Sequence, residues 1–138
     1  MKRAIQTDRA PEPVGPHAQA VEARGLVFTA MQLPLDPASG KVISGDAALW
    51  AHQALSNVQA VLKAAGCRLG DVVQVTVYVT DLQEMDDITA VYDTYFQLKP
   101  PARSVVQMAA LPQGAKVAVS AVALAPGQAL RSSNGQAA

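Results

Sequence analysis

The chain has little of several things, and each shortage closes off a class of function. It holds a single cysteine, Cys67, so no disulfide can form within it. No histidine-containing motif accompanies that cysteine, which reads as a small apolar thiol rather than a nucleophile. Charged residues make up only 16%, and the 11 Lys and Arg are balanced by 11 Asp and Glu. Without a basic excess or a basic run, the chain lacks the means to neutralise a phosphate backbone, so no nucleic-acid partner is expected. No apolar run approaches the ~18 residues that a membrane span needs. The start, Met1-Lys2-Arg3-Ala4-Ile5, runs straight into polar residues and does not read as a signal peptide. A cytoplasmic protein with no membrane partner is the expectation. No repeat of 20–50 residues is present.

What is present is an apolar excess. Half of the 138 residues are hydrophobic. That length suits one domain, which buries roughly two-thirds of its surface. So much apolar surface in so small a domain predicts that other subunits cover part of it. The domain is expected over residues 1–125. The Gly-, Ser- and Asn-containing tail 126–138 is expected to stay loose.

The order of elements follows from periodicity. A short strand is expected at Arg3–Gln6. Pro11, Pro13, Gly15 and Pro16 then forbid regular structure. Val21–Ala23 and Leu26–Met31 flank Arg24-Gly25 as a hairpin. A turn-rich loop covers residues 34–41. Asp46 or Ser44 caps a helix starting near Ala47, with Ala51, Leu55, Val58, Leu62 and Ala65 on one face and Gly66 as its stop. His52 reads as a partly exposed helix residue. Val72–Val79 is a strand, with Val73, Val75, Val77 and Val79 alternating along it. Asp81 caps a second helix over Leu82–Leu98, striped by Ile88, Val91, Tyr92, Tyr95 and Phe96. Ala102–Met108 and Lys116–Ala125 are the last strands. The final one is apolar on both faces, so both should be covered, one by helices and one by a partner chain. The fold class is α+β: a sheet with two helices on one face.

One cation stands out. Pro100-Pro101 stiffens the approach to a buried-looking strand that opens with Arg103. A cation there needs an anionic partner. Its planar fork suits a carboxylate, so Arg103 is the candidate for holding the carboxylate of a small substrate.

Several stretches, taken together, resemble the Rid/YjgF/L-PSP family, the reactive enamine/imine deaminases. They are Ala10-Pro11 with Gly15-Pro16-His17-Ala18-Gln19-Ala20; Thr29 to Pro34 with Asp36-Pro37 and Ser39-Gly40; and Asn57-Val58 through Ala64-Ala65-Gly66. Gly70-Asp71-Val72-Val73, Val77-Tyr78-Val79-Thr80-Asp81-Leu82, Pro101-Ala102-Arg103-Ser104 and Leu111-Pro112 complete the ordered series. The resemblance covers about residues 2–124. It implies a chorismate-mutase-like mixed sheet, a homotrimer with clefts between subunits, and hydrolysis of 2-enamino or 2-imino acids to 2-oxo acids and ammonia. It implies no cofactor and no metal. The family arginine falls on Arg103, and a backbone carbonyl near Val105 is placed to hold the imine nitrogen.

The sequence also departs from that pattern. The water-positioning glutamate of many members falls on Ala118, which accepts no proton; Ser120 lies on the same strand face. The tyrosine that often follows Gly-Pro is His17, which either enters the cleft as an acid/base or replaces a packing tyrosine. The usual Ser-Gly before Gln32 is Ala30-Met31. The expected pocket is therefore Arg103, Val105, His17, Ala30, Met31, Ala118 and Ser120. The competing reading is a non-catalytic trimer that binds small carboxylates or partner proteins. An RNA-cutting activity lacks both a basic stripe and a catalytic histidine pair.

Overall fold

A computed structural model describes residues 1–127. Most of the tail, from Gln128 onward, lies outside them. The strands are β1 (Lys2–Ile5), β2 (Ala20–Ala23), β3 (Leu26–Thr29), β4 (Val72–Val79), β5 (Ala102–Gln107) and β6 (Val117–Leu124). The helices are α1 (Ala47–Ala64) and α2 (Met85–Tyr95). All six strands form one sheet in the order β1-β2-β3-β6-β4-β5, with only β4 and β5 parallel neighbours.

Topology explains why both helices share a face. The step from β3 to β4 through α1 and the step from β4 to β5 through α2 cross the sheet in the same direction. Crossovers between parallel strands are right-handed, so both helices land on the same side. The expected α+β architecture is what the chain adopts.

Local chemistry sets the element ends. Arg24 and Gly25 both have positive φ (54° and 78°), the two-residue turn whose twist suits a tight hairpin, and Ala23 pairs with Leu26 across it. The Asp46 carboxylate accepts from the Leu49 N–H and so caps α1; Ser44 plays no part in that bond. At its other end Gly66 turns left-handed (φ 85°), while the Gly66 and Cys67 amides return to Lys63 and Leu62 carbonyls. A Cβ on Gly66 would sit 2.8 Å from Pro126, so glycine is required twice over.

Two expectations need correction. The second helix does not begin at Leu82: residues 82–84 form a single 3-10 turn, and α2 runs only from Met85 to Tyr95. Asp81 caps that turn by accepting from the Gln83 amide. Downstream, Lys99 has φ 50° ahead of Pro100, where a helical residue would clash with the proline ring. On β4 a register shift between Val72 and Gln74 turns Val72 inward and leaves Val73 exposed. The inward set is Val72, Val75, Val77 and Val79.

The core lies between the sheet and the helices. Val75, Val77, Val79, Val117, Val119 and Ala121 meet Ala51, Leu55, Val58, Val61 and Leu62 of α1 and Ile88, Tyr92 and Phe96 of α2. Each Val or Leu removed from water there stabilises the fold by about 1.5–3 kcal/mol before entropy is counted. The opposite face has no helix. By strand alternation it carries Val21, Leu26, Phe28, Tyr78, Val106, Val122 and Leu124, with Phe28 and Val106 exposed.

Candidate functional site

Arg103 occupies the second position of β5, paired with Val75 of β4. It therefore points to the helix-covered face, yet β5 ends the sheet and the side chain escapes over α2. There its guanidinium carbon lies 4.9 Å from the centroid of the Tyr92 ring, and Nη1 donates to the Thr89 hydroxyl at 3.3 Å. Arg103 remains exposed. Among the described residues no carboxylate reaches it; the ion pair found there is Arg3–Glu22 at 2.6 Å.

The backbone of β5 adds a second feature. The Met108 N–H donates to the Val79 carbonyl, so even-numbered groups face β4. By alternation, the N–H and C=O of Arg103, Val105 and Gln107 face the outer edge, where the sheet has no further strand. The Val105 carbonyl is thus left without a strand partner, at the same sheet edge that carries Arg103.

The other predicted residues gather elsewhere. His17, Ala30 and Met31 line a cavity of about 320 Å³ with Pro11, Pro13, Leu33 and Pro112. Its position follows from a break in the sheet. Phe28 pairs with Val122, but Gln32 bridges Val119, so one extra residue bulges out between them. The Thr29 hydroxyl accepts the Ala121 amide and fills the gap in the ladder. Ala30 and Met31 ride on that bulge. The opposite wall is the proline-rich loop. Buried Gln19 holds it by accepting from the Thr7 amide at 2.7 Å and donating to the carbonyls of Thr7, Ala10 and Pro11.

Ala118 and Ser120 do not line this cavity. Ala118 is fully buried with Leu111 and Ala115, against Met31, Leu33, Val42 and Tyr78. Ser120 shares a 3.3 Å hydrogen bond with the Tyr78 hydroxyl. Nor do Arg103 and Val105 line it. One chain therefore presents two separate surfaces: an arginine edge on β5 and an apolar cavity carrying His17.

Burial tunes the nearby acids in one direction. It raises the Tyr92 phenol, and the Arg103 charge offsets part of that rise. It also raises Tyr95, whose hydroxyl lies 2.9 Å from His52 Nδ1 and ties α2 to α1. Cys67 is buried, with its thiol on the Leu124 carbonyl, and is pushed up to about 11. Such a thiol carries no thiolate near neutrality. Among the described residues no group of three or more His, Cys, Asp or Glu could hold a metal ion, and no helix is long and apolar enough to cross a membrane.

Sequence reasoning overlooked Thr89, Tyr92 and Gln19 as parts of the site. The first two had a signal: Thr89 and Tyr92 are three apart on one helix face, next to the strand that carries Arg103. Gln19 had none, because its partners are backbone groups of a loop.

The sequence profile of the family described as Endoribonuclease L-PSP matches residues 7–125. A RutC family protein of Pyrococcus horikoshii is 40% identical over 123 residues, covering 89% of this chain and 98% of that one. The mouse 2-iminobutanoate/2-iminopropanoate deaminase is 40% identical over 124 residues, covering 90% and 92%. Among solved structures, Escherichia coli TdcF with bound serine superposes with a TM-score of 0.84 at 39% identity, covering 88% of this chain and 98% of that one. The E. coli YjgF gene product gives 0.84 at 38% identity, with the same coverage. With the profile spanning nearly the whole sheet and both helices, the chain belongs to the Rid/YjgF/L-PSP family.

Proposed function

We propose that this protein hydrolyses reactive 2-enamino and 2-imino acids to 2-oxo acids and ammonia, with the substrate carboxylate held by Arg103. The observation that carries the reading is the state of Arg103: a forked cation at a sheet edge, braced from below, with no acidic partner among the described residues. The name of the mouse relative, a 2-iminobutanoate/2-iminopropanoate deaminase, supports the same chemistry.

The reaction asks for orientation more than for a strong catalyst, since an iminium carbon is already electrophilic. The guanidinium fork fixes the plane of the carboxylate. The Val105 carbonyl accepts from the protonated imine nitrogen. An enamine first takes a proton at C3 to become the iminium. Water then forms a bond to C2 while the C=N electron pair moves to nitrogen. The water loses one proton and the nitrogen gains one. The C–N bond breaks and ammonia leaves as the hydroxyl on C2 gives up its remaining proton, which replaces the one taken up to form the iminium, and C2 becomes the carbonyl carbon.

The two surfaces of one chain lie apart, so this reading requires them to meet across copies. The bare sheet face with Phe28, Val106, Val122 and Leu124 supplies the apolar surface for a homotrimer, and the arginine edge of one copy then closes on the cavity of the next. His17, in the cavity wall, is the acid/base that handles the water. A His17→Phe variant with unchanged turnover would dispose of that role.

One observation favours a non-catalytic binder of small carboxylates instead. The position of the family glutamate is a buried methyl, Ala118, among apolar neighbours. A single experiment separates the two. An amino-acid oxidase generates imino acids in place, and their decay is timed with and without the protein. Acceleration that disappears in Arg103→Ala supports the deaminase. Carboxylate binding without acceleration across a panel of substrates supports the binder. Acceleration that survives in Arg103→Ala rejects the site.

A further inference from the structure

We propose that Tyr92 and Thr89 are positioning residues for Arg103: the Tyr92 ring, not its hydroxyl, and the Thr89 hydroxyl together set the direction of the guanidinium. The inference rests on the reading of Arg103 as the carboxylate clamp and adds what aims it.

A six-residue edge strand gives an arginine little support. Its neighbours on β5 are exposed or half-buried, and strand pairing exists on one side only. A free arginine side chain samples many rotamers, and ordering it on binding would weaken the ligand. Here α2 removes that freedom. Tyr92 is 5% exposed, and its ring is itself locked by Phe96 at a centroid distance of 4.8 Å. The guanidinium lies 4.9 Å from the centre of this fixed ring, within the range of a cation–π contact. A ring contact constrains the guanidinium without using any N–H. The Thr89 hydroxyl takes one, from Nη1, and so fixes rotation. The other N–H groups stay available for a carboxylate fork.

The Tyr92 hydroxyl tells ring from hydroxyl. It is buried, and it has no hydrogen-bond partner among the described residues. A donor left unmade in the interior destabilises a protein, so this oxygen adds nothing favourable to the fold. The aromatic face is the part in contact with Arg103. Phenylalanine supplies the same face, and leucine supplies similar apolar bulk without it.

The test uses the full-length protein in its native assembly and two readouts: steady-state hydrolysis of in-place imino acid, and direct binding of an unreactive 2-oxo acid by calorimetry. Tyr92→Phe is expected to match wild type in both and to unfold no earlier. Tyr92→Leu is expected to raise KM and the 2-oxo acid Kd together by about five-fold, with kcat within two-fold, as removal of a binding contact shared by ground and transition states requires. Thr89→Val should weaken binding similarly, and Thr89→Ser should restore it. In an Arg103→Ala background, Tyr92→Leu should change nothing further. A merely structural tyrosine would instead lower the melting temperature and leave the Kd of the folded fraction alone. Equal Kd in wild type and folded Tyr92→Leu, or an undiminished effect in the Arg103→Ala background, overturns the inference. Ligand binding that does not depend on Arg103 overturns the reading beneath it.

Discussion

The carboxamide of Gln19 and the backbone of Thr7 bond in both directions, with Thr7 N–H to Oε1 at 2.7 Å and Nε2 to the Thr7 carbonyl at 2.9 Å. Two more carbonyls, those of Ala10 and Pro11, share the same Nε2. One side chain thereby does for the loop what a strand partner would do. Gln19→Leu is expected to destabilise the protein by about 3 kcal/mol, because it strands several buried backbone groups at once. Urea unfolding measures this. A loss under about 0.5 kcal/mol, the level of an ordinary surface change, would mean that the prolines alone hold the loop.

Arg103→Lys separates charge from shape. Lysine keeps the cation but loses the planar fork and its stacking on the ring. Binding of a 2-oxo acid should weaken by roughly ten-fold, the loss of one good charge-assisted hydrogen bond. Calorimetric titration reads it directly, and an unchanged Kd would show that a point charge suffices.

Cys67 gives a pH dependence with a definite sign. Its folded value, about 11, lies above the ordinary 9.0. Burial is the main cause, and the nearby Asp71 and Glu22 charges add to it. The folded state therefore prefers the neutral thiol. Its contribution to stability is complete below pH 9 and is lost as pH rises from there through about 11. Urea midpoints of wild type should fall faster than those of Cys67→Ala over that window. Parallel curves would remove Cys67 from the account. Alkylation by iodoacetamide at pH 8 should also be slow in the native protein.

The bare sheet face predicts association. Phe28 and Val122 are cross-strand partners in its middle. Phe28→Asp or Val122→Asp places a charge in what the trimer would bury. Light scattering should show wild type near three times the 14.4 kDa chain mass and these variants near one. Wild type at one chain mass would remove both the trimer and the shared cleft.

Much of this protein is determined by its sequence alone. Period-3.6 spacing at Ala51, Leu55, Val58 and Leu62 specifies α1 and the face it buries. A left-handed pair at Arg24-Gly25 specifies the hairpin, and Pro100-Pro101 separates α2 from β5. These are local effects, carried by dihedral preference and by the pattern of apolar residues, and they can be read one stretch at a time. Arg103 was likewise visible as a forked cation at the head of a strand behind Pro100-Pro101, and its role as a clamp is the proposal made from it. Tertiary structure decided the rest. The bulge at Val72-Gln74 broke the alternation at Val73, because register depends on the partner strand β6 and not on the run of valines. His17, Ala30 and Met31 came together only where a second bulge, between Phe28 and Gln32, met the loop that Gln19 holds. The brace under Arg103 needed a right-handed crossover to bring α2 beside β5. Contacts between segments far apart in sequence depend on topology, and topology is settled by burying every apolar face at once.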